Sequence, residues 1–459
     1  MKNKRCEECV CINGKRSNNN KTKVEEEVCI KPLHNFLTKN SIKCFCSWCI
    51  LVFLINSNTP SQPTHTQKIS VLNRIKEFEK NKKKISKSEI INFYHINSRN
   101  ILLDSKINKH FLFPDVSIIL LMYNQANIIH TSLRSIQNQS LKNIEIIIID
   151  DCSIDNSTSI IKKYLNEDKR ITLIEHESNE GKIKSRSEGI KLAKGKYITV
   201  VDGDDALIHR NILYNSFKIG ILGNLDIVEF KIAKYNKEKF LGILTNYDYI
   251  KNVENNIIYQ PELRTKFIIR NDNPSIRGTL NRNLCGKLIK NEVFKQVLSN
   301  IGKKYTDDYI MIYEDTIMAI SLLQIANSYY LMKERGYYYN RDTNRNKFSE
   351  NIETNIKKCK INKNIVKDID QAKYLNFLLE HTKDNYIERQ LIYYEIKSMD
   401  YWEGFQQKIG NHFNLFYEIF DKILKIRFLK RKQIDKIIFI KNRLLAKEKY
   451  IKQHLNNSI

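Results

Sequence analysis

The sequence predicts an α/β fold, a mostly parallel sheet flanked by helices, with an amino-terminal extension and a helical carboxy-terminal region. Three observations carry this. From Phe111 onward, short apolar runs of strand length alternate with stretches of helical spacing. Two of those runs end on clustered carboxylates, at "IIIIDDCS" and "ITVVDGDD". After residue 350 the apolar residues recur at helical intervals with no strand-like run between them.

Residues 1–110 read as the extension. "KRSNNNKTKVEEE" is polar and aperiodic, and "SNTPSQPTHTQ" (57–67) has a linker composition. Between them "CFCSWCILVFLI" (44–55) is apolar apart from Ser47. It is shorter than the roughly 20 residues of a membrane-spanning helix. Lys31, Lys39 and Lys43 precede it, as in an anchor, although it starts too late for an ordinary secretory signal. Two readings stay open: a membrane anchor, helped by lipid on its cysteines, and a buried or interfacial segment. Seven of the ten cysteines lie in the first 49 residues, so the body is no disulfide scaffold. "CEECVC" lacks the second pair that a zinc site needs.

The regular part, 111–349, begins with strands expected at 116–122, 144–150, 171–176, 197–202 and 225–230. Helices are expected at 127–139, 156–167 and 181–195. Such alternation implies crossover connections and a parallel sheet with helices on both faces. Ligands of these sheets bind beyond the carboxyl ends of the strands, where the acids fall. Asp150 and Asp151 close one strand; Asp202, Asp204 and Asp205 close another. Carboxylates so close repel one another, and a divalent cation would relieve that. The plain alternatives are a polar turn and helix N-caps, and the latter suit Asp155 or Asn156 better than Asp202. Gly203, between the acids, permits close backbone approach. No GxGxxG follows the first strand, and no GxxxxGK[ST] occurs, so neither a dinucleotide fingerprint nor a P-loop is present.

The net charge of +26 invites nucleic acid, phosphates or an anionic membrane. Crowding with Asn, Ile and Tyr, beside 14 Gly and 6 Pro, points instead to compositional bias and solvated lysines.

"VSIILLMYN", "SIQNQSLKNIEIIIIDDCSIDNS", "NEGKIKSRSEGIKLAKGKYITVVDGDD" and the later "YEDT" keep the order and spacing of a known family. Together they resemble family 2 glycosyltransferases of the GT-A fold, over about half the chain. The resemblance implies that Tyr123 lies near the nucleotide base and that Asp151 hydrogen-bonds it. It places Arg186 near the nucleotide. Asp202 and Asp204 match the DxD motif, which holds Mn²⁺ or Mg²⁺ against the diphosphate, with Asp205 beside them. Glu314 and Asp315 match the family's "ED" pair, whose Asp is the general base; in isolation, acids in a first helical turn also suit the macrodipole. "NLCGKLIKNEVF" (283–294) resembles the acceptor side, where Lys287 touches phosphate or acceptor, or is a surface lysine. "GYYYNRDTNRNKFS" (336–349) matches the segment closing the domain, and Arg341 or Arg345 could approach the diphosphate.

Departures from the pattern are Leu121 in place of Pro, Gln125 in place of an acid, and Ser187 in place of the Asn of "ARNxG". They bear on the base pocket and remove neither a metal ligand nor the base. No QxxRW-like segment follows the acid, which argues against processive synthesis.

From Lys422 to Lys452 the chain carries twelve Lys/Arg against Asp435 and Glu448. This basic amphipathic stretch either lies on an anionic membrane or nucleic acid, or packs on the catalytic domain with its lysines in water. The expected function is metal-dependent, inverting, non-processive transfer from a nucleotide-diphosphate sugar, UDP-sugar favoured, to a hydroxyl of a glycan, protein or lipid. The rivals are a non-catalytic nucleotide-sugar or glycan-binding relative and a basic nucleic-acid-binding protein. The second is opposed by the strand-end acids, and no nucleic-acid partner is expected. A membrane-associated or endomembrane location and a cytoplasmic one both stay open.

Overall fold

The computed structural model describes residues 64–81, 113–236, 239–243, 256–264, 283–310, 313–341, 363–381, 392–393, 413–425 and 431–455. The cysteine-rich amino terminus, the apolar stretch 44–55 and the linker up to residue 63 lie outside them. Residues 68–459 form one compact unit.

In chain order the elements are α1 (His65–Asn81), β1 (Val116–Met122), α2 (Ile129–Gln137), β2 (Ile144–Asp150), α3 (Ser157–Glu167), β3 (Ile171–Glu175), α4 (Lys182–Leu192), β4 (Tyr197–Asp202), β5 (Ala206–Leu207), α5 (Ile212–Gly223), β6 (Ile227–Asn236), β7 (Lys239–Ile243), β8 (Ile257–Tyr259), β9 (Lys287–Lys290), α6 (Asn291–Ile301), α7 (Lys303–Thr306), α8 (Glu314–Ile325), β10 (Ser328–Asn340), α9 (Lys363–His381), α10 (Phe413–Leu424) and α11 (Arg431–Leu455).

The main sheet runs β3-β2-β1-β4-β9-β6-β10-β5, with β7 on β6 and β8 on β10. β1 to β4 pair in parallel throughout. β1, β2 and β4 are nearly continuous apolar runs because helices cover both their faces, whereas β3, at the sheet edge, is partly exposed. Alternate residues feed two cores. Ile119, Leu121, Ile147 and Ile149 join the core that holds Ile183, Ile190 and the inner faces of α6 and α8. Ile118, Leu120, Ile146 and Ile148 join the other, with Ile75, Leu133 and Ile161.

The second half of the sheet is mixed. β9 is antiparallel to β4 and β6, β7 is antiparallel to β6, and β10 is parallel to β6 but antiparallel to β5 and β8. β5 and β9 have two and four residues, too few to display a period, which is why the parallel expectation holds only for the first half.

The register aligns the strand ends. Met122 lies opposite Asp150, and Leu121 lies opposite both Ile149 and Asp202. The loops after β1, β2 and β4 therefore leave from one edge.

The carboxy-terminal helices extend the first core, through Tyr374, Phe377 and Leu378 of α9, Phe416 and Phe420 of α10, and Ile437 and Ile440 of α11. The basic amphipathic stretch from Lys422 to Lys452 falls on two helices, the end of α10, which closes at Leu424, and α11, which starts at Arg431. Among the described residues no helix is long and apolar enough to cross a membrane.

Gly195 marks where the turn before β4 meets β1. Its N–H donates to Ser117 Oγ (2.7 Å) and Glu145 Oε1 (3.0 Å). A Cβ there would stand 2.5 Å from the Ser117 backbone nitrogen, which a side-chain rotation cannot relieve. Gly195→Ala is expected to destabilise the protein by about 1–3 kcal/mol, measured by urea unfolding.

Candidate active site

The loops leaving the aligned strand ends are pinned to one another. Asn124, at φ +51°, donates its N–H to Ser153 Oγ (2.9 Å), and its Oδ1 accepts from Ile154 N–H (2.9 Å). Gln125 N–H donates to Ser157 Oγ (2.7 Å), and Ala126 N–H to Asp155 Oδ2 (3.0 Å). Tyr123 sits half-buried at the head of this loop.

The two acids ending β2 divide their work. Asp150 is turned to the start of α3, accepting from Ser153 N–H (3.0 Å) and the Thr158 hydroxyl. Asp151 faces the loop after β3. Its Oδ1 accepts from Glu180 N–H (2.7 Å), and its Oδ2 from Gly181 N–H (3.1 Å). His176 lies between carboxylates, Nδ1 at 2.9 Å from Asp151 and Nε2 at 2.8 Å from Glu188. Two acceptors, one on each ring nitrogen, call for the imidazolium. The Asp151 hydrogen bond leads in pushing the His176 pKa up to about 8.

The turn after β4 gathers the second set of acids. One carboxylate oxygen from each of Asp202, Asp204 and Asp205 falls within 4.8 Å of the others. Asp205 is buried and engaged at both oxygens, Oδ2 by the Tyr337 hydroxyl (3.0 Å) and Oδ1 by Asn340 N–H (2.9 Å). The same Tyr337 oxygen accepts from Asp202 N–H (3.1 Å). Beneath the turn, Gly203 N–H donates to the Leu121 carbonyl (2.8 Å), and the Ser132 hydroxyl donates to the Gly203 carbonyl (2.6 Å). A Cβ at Gly203 would lie 1.9 Å from Gln125 Oε1 and 2.7 Å from the Leu121 carbonyl oxygen, so the residue between the acids has to be glycine.

Arg186, in α4, is wholly buried. Nη2 donates to Asp202 Oδ1 (3.1 Å), and Nη1 to Glu314 Oε1 (3.4 Å) and to Asp315 Oδ1. Lys182, one turn earlier, stands 4.0 Å from Glu314. The arrangement thus joins Asp202 directly to the Glu314–Asp315 pair at the start of α8. Glu314 is the inner of the two, its side chain 7% exposed against 23% for Asp315. Burial pushes the Glu314 carboxyl up to about 7, with the adjacent Asp315 charge adding and Lys182 and Arg186 opposing. Burial also raises Asp315, against the Arg186 guanidinium.

Asp151 is held in a separate network, with His176 and the 179–181 loop. Lys287 is not a surface lysine: it is buried in β9, 3.2 Å from the fully buried Glu229 and donating to the Asn283 carbonyl (2.6 Å). Arg341 is exposed just beyond β10, and Arg345 lies outside the described residues. Sequence reasoning passed over His176, Lys182, Tyr337 and Asn340, all within quoted or adjoining segments, because their work is to hold other residues. It also passed over Tyr374. Tyr313, in the left-handed region at φ +74°, immediately precedes Glu314, and its ring stacks on Tyr374 of α9 at 5.0 Å and 6°. A non-glycine residue keeps that backbone only when its surroundings impose it.

Two outcomes follow from these contacts. His176 binds its proton more tightly folded than unfolded, so its contribution is fully present below about pH 6.5 and is lost as pH rises through about 8. Unfolding of wild type and His176→Gln should therefore differ by about 1–2 kcal/mol at pH 6 and converge by pH 9. Tyr374→Ala should cost about 2–4 kcal/mol and speed hydrogen exchange at the 313–316 amides, while Tyr374→Phe keeps the stack and most of the protection.

The sequence model of the family described as Glycosyl transferase family 2 matches residues 117–213. Glycosyltransferase GlyG of Streptococcus pneumoniae is 28% identical over 226 residues, covering 48% of this chain and 71% of GlyG. GlyA of the same organism is 30% identical over 198 residues, 42% of this chain and 27% of GlyA. An uncharacterised glycosyltransferase of Mycoplasma genitalium is 29% identical over 49% of this chain and 69% of its own length. Among solved structures, residues 1–349 of Staphylococcus aureus TarS in complex with UDP superpose with a TM-score of 0.51 at 14% identity, covering 75% of this chain and 92% of that one. The UDP-GlcNAc complex of the same TarS fragment gives 0.50 at 16%, covering 74% and 92%. The matched segment spans β1 to β4 and the acidic turn after β4: the chain carries a segment similar to family 2 glycosyltransferases, and its fold is the GT-A fold of TarS.

Proposed function

We propose that this chain transfers a sugar from a nucleotide-diphosphate sugar, UDP-linked, to an acceptor hydroxyl with inversion of configuration. The observation that carries the reading is the joining of the acidic turn to the Glu314–Asp315 pair through Arg186. A metal turn and a carboxylate base then share one guanidinium.

The donor set suits a hard divalent cation, Mn²⁺ or Mg²⁺, being carboxylate oxygens alone. Asp205 is engaged by Tyr337 and Asn340, so Asp202 and Asp204 would hold the ion and Asp205 would shape the turn. When bound, such an ion offsets the charge growing on the departing diphosphate. Tyr123 and Asp151, beyond β1 and β2, are assigned to the nucleotide base. Asp151 also organises the 179–181 loop, which borders that side.

Asp315 is assigned as general base because it is the more exposed acid of its pair, and burial raises its carboxyl, which makes it a stronger proton acceptor than an ordinary aspartate. As the acceptor oxygen bonds to the anomeric carbon, its proton passes to Asp315 and the bond from carbon to the diphosphate oxygen breaks. Glu314 shares Arg186 and holds the pair in place. The TarS complexes with UDP and UDP-GlcNAc support a UDP donor through the shared fold.

Calorimetry with UDP and GDP, with and without Mn²⁺, tests the donor side. UDP should bind only with metal, and Asp204→Ala should weaken it at least about tenfold. Asp315→Asn should keep that binding and lower kcat by about 10²–10⁴. Nucleotide binding without turnover on any acceptor would favour a non-catalytic relative, and no binding at all would remove the reading.

A further inference from the structure

Among the described residues of the carboxy-terminal region, α11 is the last helix and packs on α10. It does so through Ile437 and Ile440, and Tyr417 of α10 donates its hydroxyl to Glu448 (2.6 Å). Lys441 reaches back to Asp421 of α10 (2.5 Å). These contacts fix which way the helix faces. The opposite side carries three large apolar side chains in the open: Phe439 at 54%, Ile438 at 40% and Leu445 at 40% exposed.

Cations flank them. Arg431, Lys432, Arg443 and Lys449 are exposed on the same arc, and Lys436 Nζ lies over the Phe439 ring, 4.8 Å from its centroid. Within α11 eight Lys/Arg oppose two acids, and one of those, Glu448, is turned toward α10. Asp435 is left as the acid of the outer face. Ile438 and Leu445 are seven residues apart and so share a line along the helix, with Phe439 beside it.

Exposed apolar side chains in water cost free energy, and among the described residues of α11 the charges beside them are cations but for Asp435. An aqueous protein partner would have to match both a shallow apolar strip and a dense cationic rim. A bilayer with anionic headgroups does so without any specific shape: headgroups meet the cations while Phe439, Ile438 and Leu445 enter the acyl boundary. We propose that the outward face of α11 docks this protein on an anionic lipid surface, in the plane of the interface and without crossing it. The proposal is independent of the sugar-transfer reading.

Full-length protein sedimented with phosphatidylcholine vesicles, with and without phosphatidylglycerol, tests this. Wild type is expected to pellet with the anionic vesicles, less so at high salt, and little with neutral ones. Phe439→Asp should lower the bound fraction about tenfold, and the pair Arg443→Glu, Lys449→Glu comparably. All three positions are exposed, so circular dichroism should be unchanged. Failure of wild type to pellet overturns the proposal. So does pelleting that neither variant reduces, which would move the contact elsewhere in the chain. Self-association that Phe439→Asp dissolves, without vesicle binding, would assign the face to a second copy and overturn it equally.

Discussion

A guanidinium with no exposed surface has to be surrounded by anions, and Arg186 imposes that condition on two distant parts of the chain at once. Asp202 comes from the end of β4, and Glu314 and Asp315 come from the start of α8 more than a hundred residues later. Removing any of the three carboxylates leaves buried positive charge under-compensated, and removing the arginine leaves three acids facing one another. Lysine could not substitute, because the planar fork is what reaches both sides. The acidic turn, α4 and α8 are in this sense one electrostatic object. Tyr337 extends it, since a single hydroxyl oxygen serves Asp202 and Asp205 together.

The parallel half of the fold was legible because burial on both faces makes β1, β2 and β4 continuous apolar runs with little ambiguity. The antiparallel half was not. β5 and β9 are too short to show a period, and β10 gains its thirteen residues by bulging between Leu331 and Tyr337, which blurs alternation. The acids of the site could be picked out from where they close strands. Their supporters could not, because nothing local distinguishes Tyr337 from Tyr338 or His176 from any other histidine; their roles exist only through partners elsewhere in the sequence.

The departures from the family pattern can be placed physically. Leu121 contributes its carbonyl to Gly203, a contact that any residue could make with its backbone. Ser187 is buried and donates to the Ile183 carbonyl within α4 (2.7 Å), so its hydroxyl is spent inside the helix rather than on a ligand. Gln125 is the more consequential. Its Oε1 is buried without a hydrogen-bond partner among the described residues, directly against Gly203. A carboxylate there would stand beside three other acids, whereas the amide adds no charge to the turn.

The sequence distances within the site also set an order of events during synthesis. β1 to β4 can pair as soon as residue 202 has emerged, but β9, which pairs the far edge of β4, follows at 287–290, and the Asp205 carboxylate meets Tyr337 and Asn340 when residue 340 arrives. At ribosomal rates of roughly 5–20 residues per second, that leaves an interval on the order of ten seconds. During it a half-built sheet carries an open edge and an acidic turn without its buttress. The nascent chain is therefore most exposed to mispairing between the making of its acids and the making of the strand that steadies them.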